Sequence, residues 1–196
     1  PTLQTHNCMN PSIFKLKQIG PGTLYIMPCP RASVLAEDMS FYMDLGINTV
    51  VCLLEKAEMI ARGLALEERL CQELDLRFEH FSIPDRAIPS NLGAFRGLVD
   101  RLDLELKQGR NIAIHCYAGI GRTGILAGSL LIRNGMQPQE AVELMSETRG
   151  KNMPQTQVQY EFLVDNDEQH ALIDHDSTSK PTRPWWQRLI SWSPAA

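Results

Sequence analysis

The chain has 196 residues, 43% hydrophobic and 21% charged, the balance of a globular chain large enough to bury one real core. Its formal charge is −4 and its pI about 5.7, with no broad basic stripe of the kind nucleic-acid binding needs. No apolar run reaches the ~18 residues of a membrane span, and the opening PTLQTHNCMN lacks the charged start and apolar core of a signal peptide.

Residues 1–19 read as an N-terminal segment ahead of the domain. Pro21-Gly22 marks a turn, and Leu24 to Met27 a short strand stopped by Pro28 and Pro30. Apolar residues at 34, 35, 39, 41, 42 and 45 predict a helix from Ala32 to Leu45, ended by Gly46. The β-branched run NTVVCLL, Asn48 to Leu54, predicts a strand covered on both faces. A polar helical stretch follows from Glu55 to Leu74, divided by Gly63. Arg77 to Ile83 predicts another strand. Ser90 is placed to cap a helix whose buried face is Phe95, Leu98, Val99, Leu102 and Leu106. Asp100 and Asp103 fall on its polar face and are expected in solvent. Ile112 to Ile114 is a third apolar strand, followed by a glycine-rich loop and an apolar helix, Ile125 to Ile132. Pro138 opens a helix carrying Ala141, Val142, Leu144 and Met145, and a last core helix is expected over 156–172.

Helices alternating with short strands predict an α/β domain over 20–173, a central mixed but mostly parallel sheet flanked by helices. The polar, proline-bearing stretch 174–184 reads as a linker. Residues 185–196 form a tryptophan-rich tail in which Trp185, Trp186 and Trp192 offer an apolar contact face.

Five cysteines occur, at 8, 29, 52, 71 and 116, an odd number with no CxxC pair. Neither a zinc site nor a disulfide framework is suggested, and a reducing, cytoplasmic setting is the simpler expectation. Cys52 and Cys71 are also candidates for a reversible disulfide protecting Cys116.

The segment with chemical content is Ile112 to Gly124, IAIHCYAGIGRTG. A strand ends at His115, a loop runs from Cys116 to Arg122, and a helix begins nearby. Gly119 and Gly121 permit unusual backbone angles, so the N–H groups of Tyr117, Ala118, Gly119, Ile120 and Gly121 can converge on a tetrahedral oxyanion. The helix N-terminus adds donors and partial positive charge. Arg122 supplies a planar fork matched to two phosphate oxygens. The same field should hold Cys116 as a thiolate, a good nucleophile and a good leaving group. Thr123 is placed to donate its hydroxyl to that sulfur. Strand, cysteine, two glycines, arginine and helix in this order are not required by packing.

HCYAGIGRTG matches the HCxxGxxR[ST] signature of the cysteine-dependent tyrosine and dual-specificity phosphatases, and the resemblance, strongest to the compact dual-specificity group, covers roughly Gly20 to Leu172. It implies a dual-specificity-phosphatase-like fold and a phosphocysteine intermediate, without metal or organic cofactor. It further implies that Asp85 in IPDRAIPS, 31 positions before Cys116, is the general acid. Arg86 beside it is expected in solvent. Met153 to Tyr160, MPQTQVQY, resembles the family's QTxxQ segment, which implies that Gln155 and Gln159 flank the phosphate and orient the attacking water. Arg149-Gly150 resembles a structural part of the same segment, and His115 is implied to order the loop through hydrogen bonds and to tune the thiolate.

Lysines found in the loop of lipid- and inositol-directed relatives are replaced here by Tyr117 and Ile120, and no KNRY-type loop is present. A phosphoprotein substrate carrying phosphotyrosine, with phosphoserine and phosphothreonine also accepted, is therefore expected. A small-molecule phosphatase for inositol phosphates or nucleotide or RNA 5′-phosphates, and a catalytically inactive phosphate-binding module, are the alternatives.

Overall fold

The computed structural model describes residues 10–171, with the backbone alone from residue 165. Its strands are β1 (Phe14–Ile19), β2 (Gly22–Met27), β3 (Thr49–Cys52), β4 (Arg77–His80) and β5 (Ile112–His115). Its α-helices are α1 (Leu35–Asp44), α2 (Lys56–Ala61), α3 (Glu67–Glu73), α4 (Leu92–Lys107), α5 (Gly121–Arg133), α6 (Pro138–Arg149) and α7 (Gln157–Ala171). The strands form one five-stranded sheet in the order β1-β2-β5-β3-β4. β1 and β2 are antiparallel, and every other pairing is parallel. This is the mixed, mostly parallel sheet the pattern predicted, in a single domain.

β3 and β5 are buried along their whole lengths, which explains their mostly apolar sequences. One face packs on α4 and α5 through Leu98, Leu102, Leu126 and Leu130, and α6 and α7 lie against α5. The other face packs on α1 and α3 through Met39, Tyr42, Leu64 and Cys71. The predicted division near Gly63 is the gap between α2 and α3. The carboxyl ends of β2, β5, β3 and β4 all point the same way, and the loops leaving them carry the chemistry, as in open α/β sheets generally.

The N-terminal segment contributes more than expected, because Phe14–Ile19 is an edge strand. Leu16 is an extra residue between Lys15, paired with Tyr25, and Lys17, paired with Leu24. This bulge breaks strict alternation: Leu16 and Ile19 are buried while Lys15, Lys17 and Gln18 are exposed. The exposed lysines also protect the sheet edge from further pairing.

Two local expectations are corrected. Ser90 does not cap α4; Asn91 does, its Oδ1 accepting the Ala94 N–H at 3.0 Å. Asp103 is not solvated. It is 5% exposed and sits between α4 and α5, accepting from Lys107 Nζ at 2.8 Å, Asn134 Nδ2 at 2.8 Å and Arg133 Nε at 3.4 Å. Asp100 is exposed as expected and pairs with Arg133. Among the described residues no helix is long and apolar enough to cross a membrane. The linker and Trp185, Trp186 and Trp192 lie outside the described residues.

The cap assignment is measurable. Asn91→Ala should cost about 1 kcal/mol, lowering the thermal midpoint by about 2–4 °C, whereas Ser90→Ala should leave it within error. The reverse order in a thermal melt would restore Ser90 as the cap.

Candidate active site

The loop from Cys116 to Arg122 leaves the end of β5 and enters the first turn of α5. It is fixed from three sides. The Cys29 N–H, just past β2, donates to the Tyr117 carbonyl at 2.9 Å. The Leu53 N–H, just past β3, donates to the His115 carbonyl at 3.0 Å. From α6, Arg149 Nη2 donates to the Ala118 carbonyl at 2.9 Å. These bonds hold carbonyls on the outside of the loop and leave its N–H groups to turn inward.

Gly119 makes that turn possible. Its φ is +66°, and a Cβ built there would lie 2.2 Å from the Met27 carbonyl oxygen. Only glycine tolerates both the angle and the approach. Gly121 is crowded for a different reason: its Cβ would meet Gln159 Oε1 at 2.9 Å and Gln155 Cβ at 3.2 Å. The two glutamines named from sequence are thereby brought onto the loop. They are used differently. Gln159 is fully buried, its Nε2 donating to the Ala87 carbonyl at 3.1 Å and its Oε1 accepting the Thr156 N–H at 3.2 Å. Gln155 is exposed at the rim.

Cys116 is 3% exposed. Burial by itself pushes its thiol up, but hydrogen bonds from Thr123 and from the Ile120 N–H, with the Arg122 charge, outweigh it and hold the sulfur below the ordinary thiol range. The Thr123 hydroxyl is buried with no other partner in the resting geometry. By contrast, burial raises Cys29, and it pushes Cys71 up to about 12, so those thiols are poor nucleophiles. Cys71 contacts Met39 Sδ at 3.7 Å, and Cys52 pairs with His115 across the sheet.

Arg122 is 2% exposed, and its guanidinium is fully engaged. Nη1 and Nη2 donate to the two carboxylate oxygens of Glu58 at 2.5 and 3.1 Å. Nη1 also donates to the Ile83 carbonyl at 3.0 Å, and Nη2 to Asp85 Oδ1 at 3.2 Å. The Arg122 bond holds the Glu58 carboxyl below the usual carboxylate range. Asp85, with a side chain 65% exposed, hangs over the site from the loop after β4. Its neighbour Arg86 is exposed, as expected, and adopts a φ of +61° that turns the loop back.

The residues singled out from sequence are therefore brought together around the loop: Thr123 bonds to the Cys116 sulfur, Arg122 pairs with Asp85, Gln155 and Gln159 lie against Gly121, and His115 meets the Cys116 carbonyl. Sequence reasoning did not find Glu58, Glu67 or Arg62. Glu58 had a signal, since Glu55 and Glu58 form a capping box, but that pattern explains only its bond to the Glu55 N–H. Arg62, at the end of α2, stacks 3.3 Å above the ring of Tyr117, which is half exposed at the rim.

Comparison with known proteins agrees with this geometry. Residues 27–136 match the family model for the DSP-PTPase phosphatase of polymorphic toxin systems. The chain belongs to the cysteine-dependent dual-specificity and tyrosine phosphatases. It is 32% identical over 150 residues to cyclin-dependent kinase inhibitor 3 of Rattus norvegicus, covering 74% of this chain and 70% of that protein. The human protein of the same name is 30% identical over 148 residues, covering 74% and 69%. Among solved structures, a kinase associated phosphatase with its catalytic-site cysteine replaced by serine superposes with a TM-score of 0.76 at 22% identity, covering 84% of this chain and 98% of that one. The phosphatase Tk-PTP in its active form gives 0.64 at 24%, covering 82% and 99%. At these identities the structural likeness establishes the shared fold.

Gly119→Ala tests the loop. The strained angle and the clash with Met27 should cost about 1–3 kcal/mol at the site, so vanadate should bind at least about tenfold more weakly while the circular dichroism spectrum is unchanged. Undiminished vanadate affinity would show that the loop tolerates a side chain there.

Proposed function

We propose that this protein phosphatase hydrolyses phosphotyrosine, and also phosphoserine and phosphothreonine, in proteins, with Cys116 as nucleophile, Arg122 as phosphate clamp and Asp85 as general acid. One observation carries the assignment. A sulfur held toward the thiolate faces a loop whose arginine is shared with the candidate acid. The names of the similar proteins, a cyclin-dependent kinase inhibitor and a kinase associated phosphatase, support a phosphoprotein substrate. The neutral Tyr117 and Ile120 support a singly phosphorylated one. Unpaired Cys29, Cys52, Cys71 and Cys116 support a reducing, cytoplasmic setting.

The steps follow from the contacts. A phosphate dianion competes with Asp85 for Arg122 Nη2, and the loop N–H groups from Tyr117 to Gly121 take its other oxygens. Cys116 attacks phosphorus from below. The P–O bond to the substrate breaks, and the departing oxygen takes a proton from Asp85, now displaced from the arginine. Water then attacks the phosphocysteine, oriented at the rim by Gln155 and giving its proton back to Asp85. The Thr123 hydroxyl stabilises the sulfur as it leaves. Gln159 braces the Asp85 loop through Ala87. None of these steps draws on a metal or an organic cofactor.

Cys116→Ser should abolish turnover of phosphopeptides while retaining their binding, measured by isothermal titration. Asp85→Asn should slow alkyl phosphoesters about 10²-fold or more and an aryl ester with a good leaving group much less. Turnover should be unchanged in EDTA. Full activity of Cys116→Ser would remove the mechanism, and activity confined to phosphotyrosine in a peptide panel would remove the dual specificity.

A further inference from the structure

Behind the phosphate loop lies a polar cluster that the steps above do not use. Glu67 on α3 and His115 at the end of β5 are both fully buried, as is Cys52, which pairs with His115 from β3. One donor atom from each lies within 4.8 Å of the others. Glu67 Oε1 is 2.8 Å from His115 Nε2. Neither Glu67 oxygen nor that nitrogen makes a hydrogen bond of regular geometry, so the two groups meet in a close polar contact that is not ideally aligned. A carboxylate at zero exposure needs a cation beside it. The other ring nitrogen, Nδ1, lies 3.2 Å from the Cys116 carbonyl oxygen, an atom that can only accept.

With acceptors at both nitrogens, the ring has use for two protons. The shared one belongs on the imidazole, which in water is the stronger base by about two units, and a negative sulfur on Cys116 favours the cation further. Burial alone would push His115 toward its neutral form, but the Glu67 charge, together with Cys52 beside the ring, outweighs it and places the imidazole well above its usual range. The other titratable groups facing the pair are Cys29 beyond β2, Tyr42 on α1, Cys71 and Glu68 on α3, and Cys52 on β3. Arg62 and the ion pair of Arg31 with Asp38 complete the surrounding charges. Burial raises Cys29, Tyr42 and Cys71, so these three stay neutral at neutral pH and do not compete. Cysteine, glutamate and histidine also form a donor set that zinc can take. Two ligands of tetrahedral zinc stay roughly 3.3 Å apart at bond lengths of ~2.0 Å. The Glu67–His115 contact of 2.8 Å is shorter, so a proton is what fits between them.

We propose that Glu67 is a positioning residue for the nucleophile's loop: its carboxylate holds His115 as an imidazolium whose Nδ1–H grips the Cys116 carbonyl, placing a fixed positive charge directly behind the reactive sulfur. The inference rests on the reading of Cys116 as the nucleophile. It makes an ion pair remote from the substrate a determinant of thiolate content.

The test uses the full chain with ¹⁵N-labelled histidine. In the wild type, both His115 ring nitrogens should resonate as protonated at pH 7.5, and in Glu67→Gln one should not. Iodoacetate alkylation of Cys116 should shift its midpoint upward by about one pH unit in Glu67→Gln, with the acid limb of kcat/KM following. Adding Glu67→Gln to His115→Asn should move the midpoint no further than His115→Asn alone. A neutral His115 in the wild type, one equivalent of zinc in the purified protein, or an unmoved midpoint in folded Glu67→Gln would each overturn the proposal. Should Glu67→Gln not fold, the wild-type spectrum decides alone. A wild-type enzyme that turns over with neutral His115 sinks this inference and leaves the phosphatase reading standing. A wild type inert toward aryl phosphates sinks that reading instead.

Discussion

A guanidinium at 2% exposure must be satisfied by protein atoms, and the way Arg122 is satisfied organises the whole active face. Its partners come from α2, from the end of the β4 extension and from the loop beyond it, so three chain segments are bound to the first turn of α5. Opening such a pair by removing one partner leaves a buried charge and costs about 3–5 kcal/mol. Glu58 is therefore a structural requirement of Arg122 rather than an accessory to it. Because Glu58 also caps its own helix, the orientation of α2 and that of the arginine are set together. The clamp is held in place before any substrate arrives, and preorganised donors of this kind do not have to reorganise during the reaction.

The net charge of −4 first looks unfavourable for a site that receives phosphate. The structure answers by ordering charge over short distances. Glu58 faces Arg122 at 2.5 Å, and Glu67 faces His115 at 2.8 Å. Cys116 feels the Arg122 charge and directly follows His115, and each of those two groups is backed by an acid. Such an arrangement concentrates positive potential at the nucleophile while keeping the surrounding protein close to neutral, and it does so in a buried region where screening by salt is weak. A surface rich in lysine is not needed for it.

Much of this was legible in the sequence, and the reasons differ from element to element. The loop from His115 to Thr123 is contiguous, so its spacing alone defines a strand end, a turn and a helix start. β3 and β5 announce themselves because burial on both faces leaves them mostly apolar, with a single polar residue each, Thr49 and His115. β1 was hidden by its bulge, which places Leu16 and Ile19 inside at a spacing that matches neither a strand nor a helix. Asp103 looked solvated because helical periodicity reports the face of α4 and not which residues of α5 will meet it. Glu58 and Glu67 sit in a stretch that reads as generically polar. Their partners are 64 and 48 positions away, at Arg122 and His115 respectively, and no local pattern encodes a pairing over that distance.

Asp85 illustrates how one contact serves two states. Its carboxylate rests on Arg122 Nη2 at 3.2 Å while its side chain remains largely open to water. An exposed pair of that kind contributes little to stability, typically under about 1 kcal/mol, so it is easily exchanged. The buried pair with Glu58 is not. The guanidinium thus has one permanent partner and one replaceable partner, and a phosphate dianion, with more charge and better matched oxygens, is suited to take the place of the second. In the proposed mechanism the same displacement that completes phosphate binding frees the acid. Phosphate binding and the release of Asp85 are in this way driven by a single exchange at one nitrogen, whose direction is set by how differently Glu58 and Asp85 are buried.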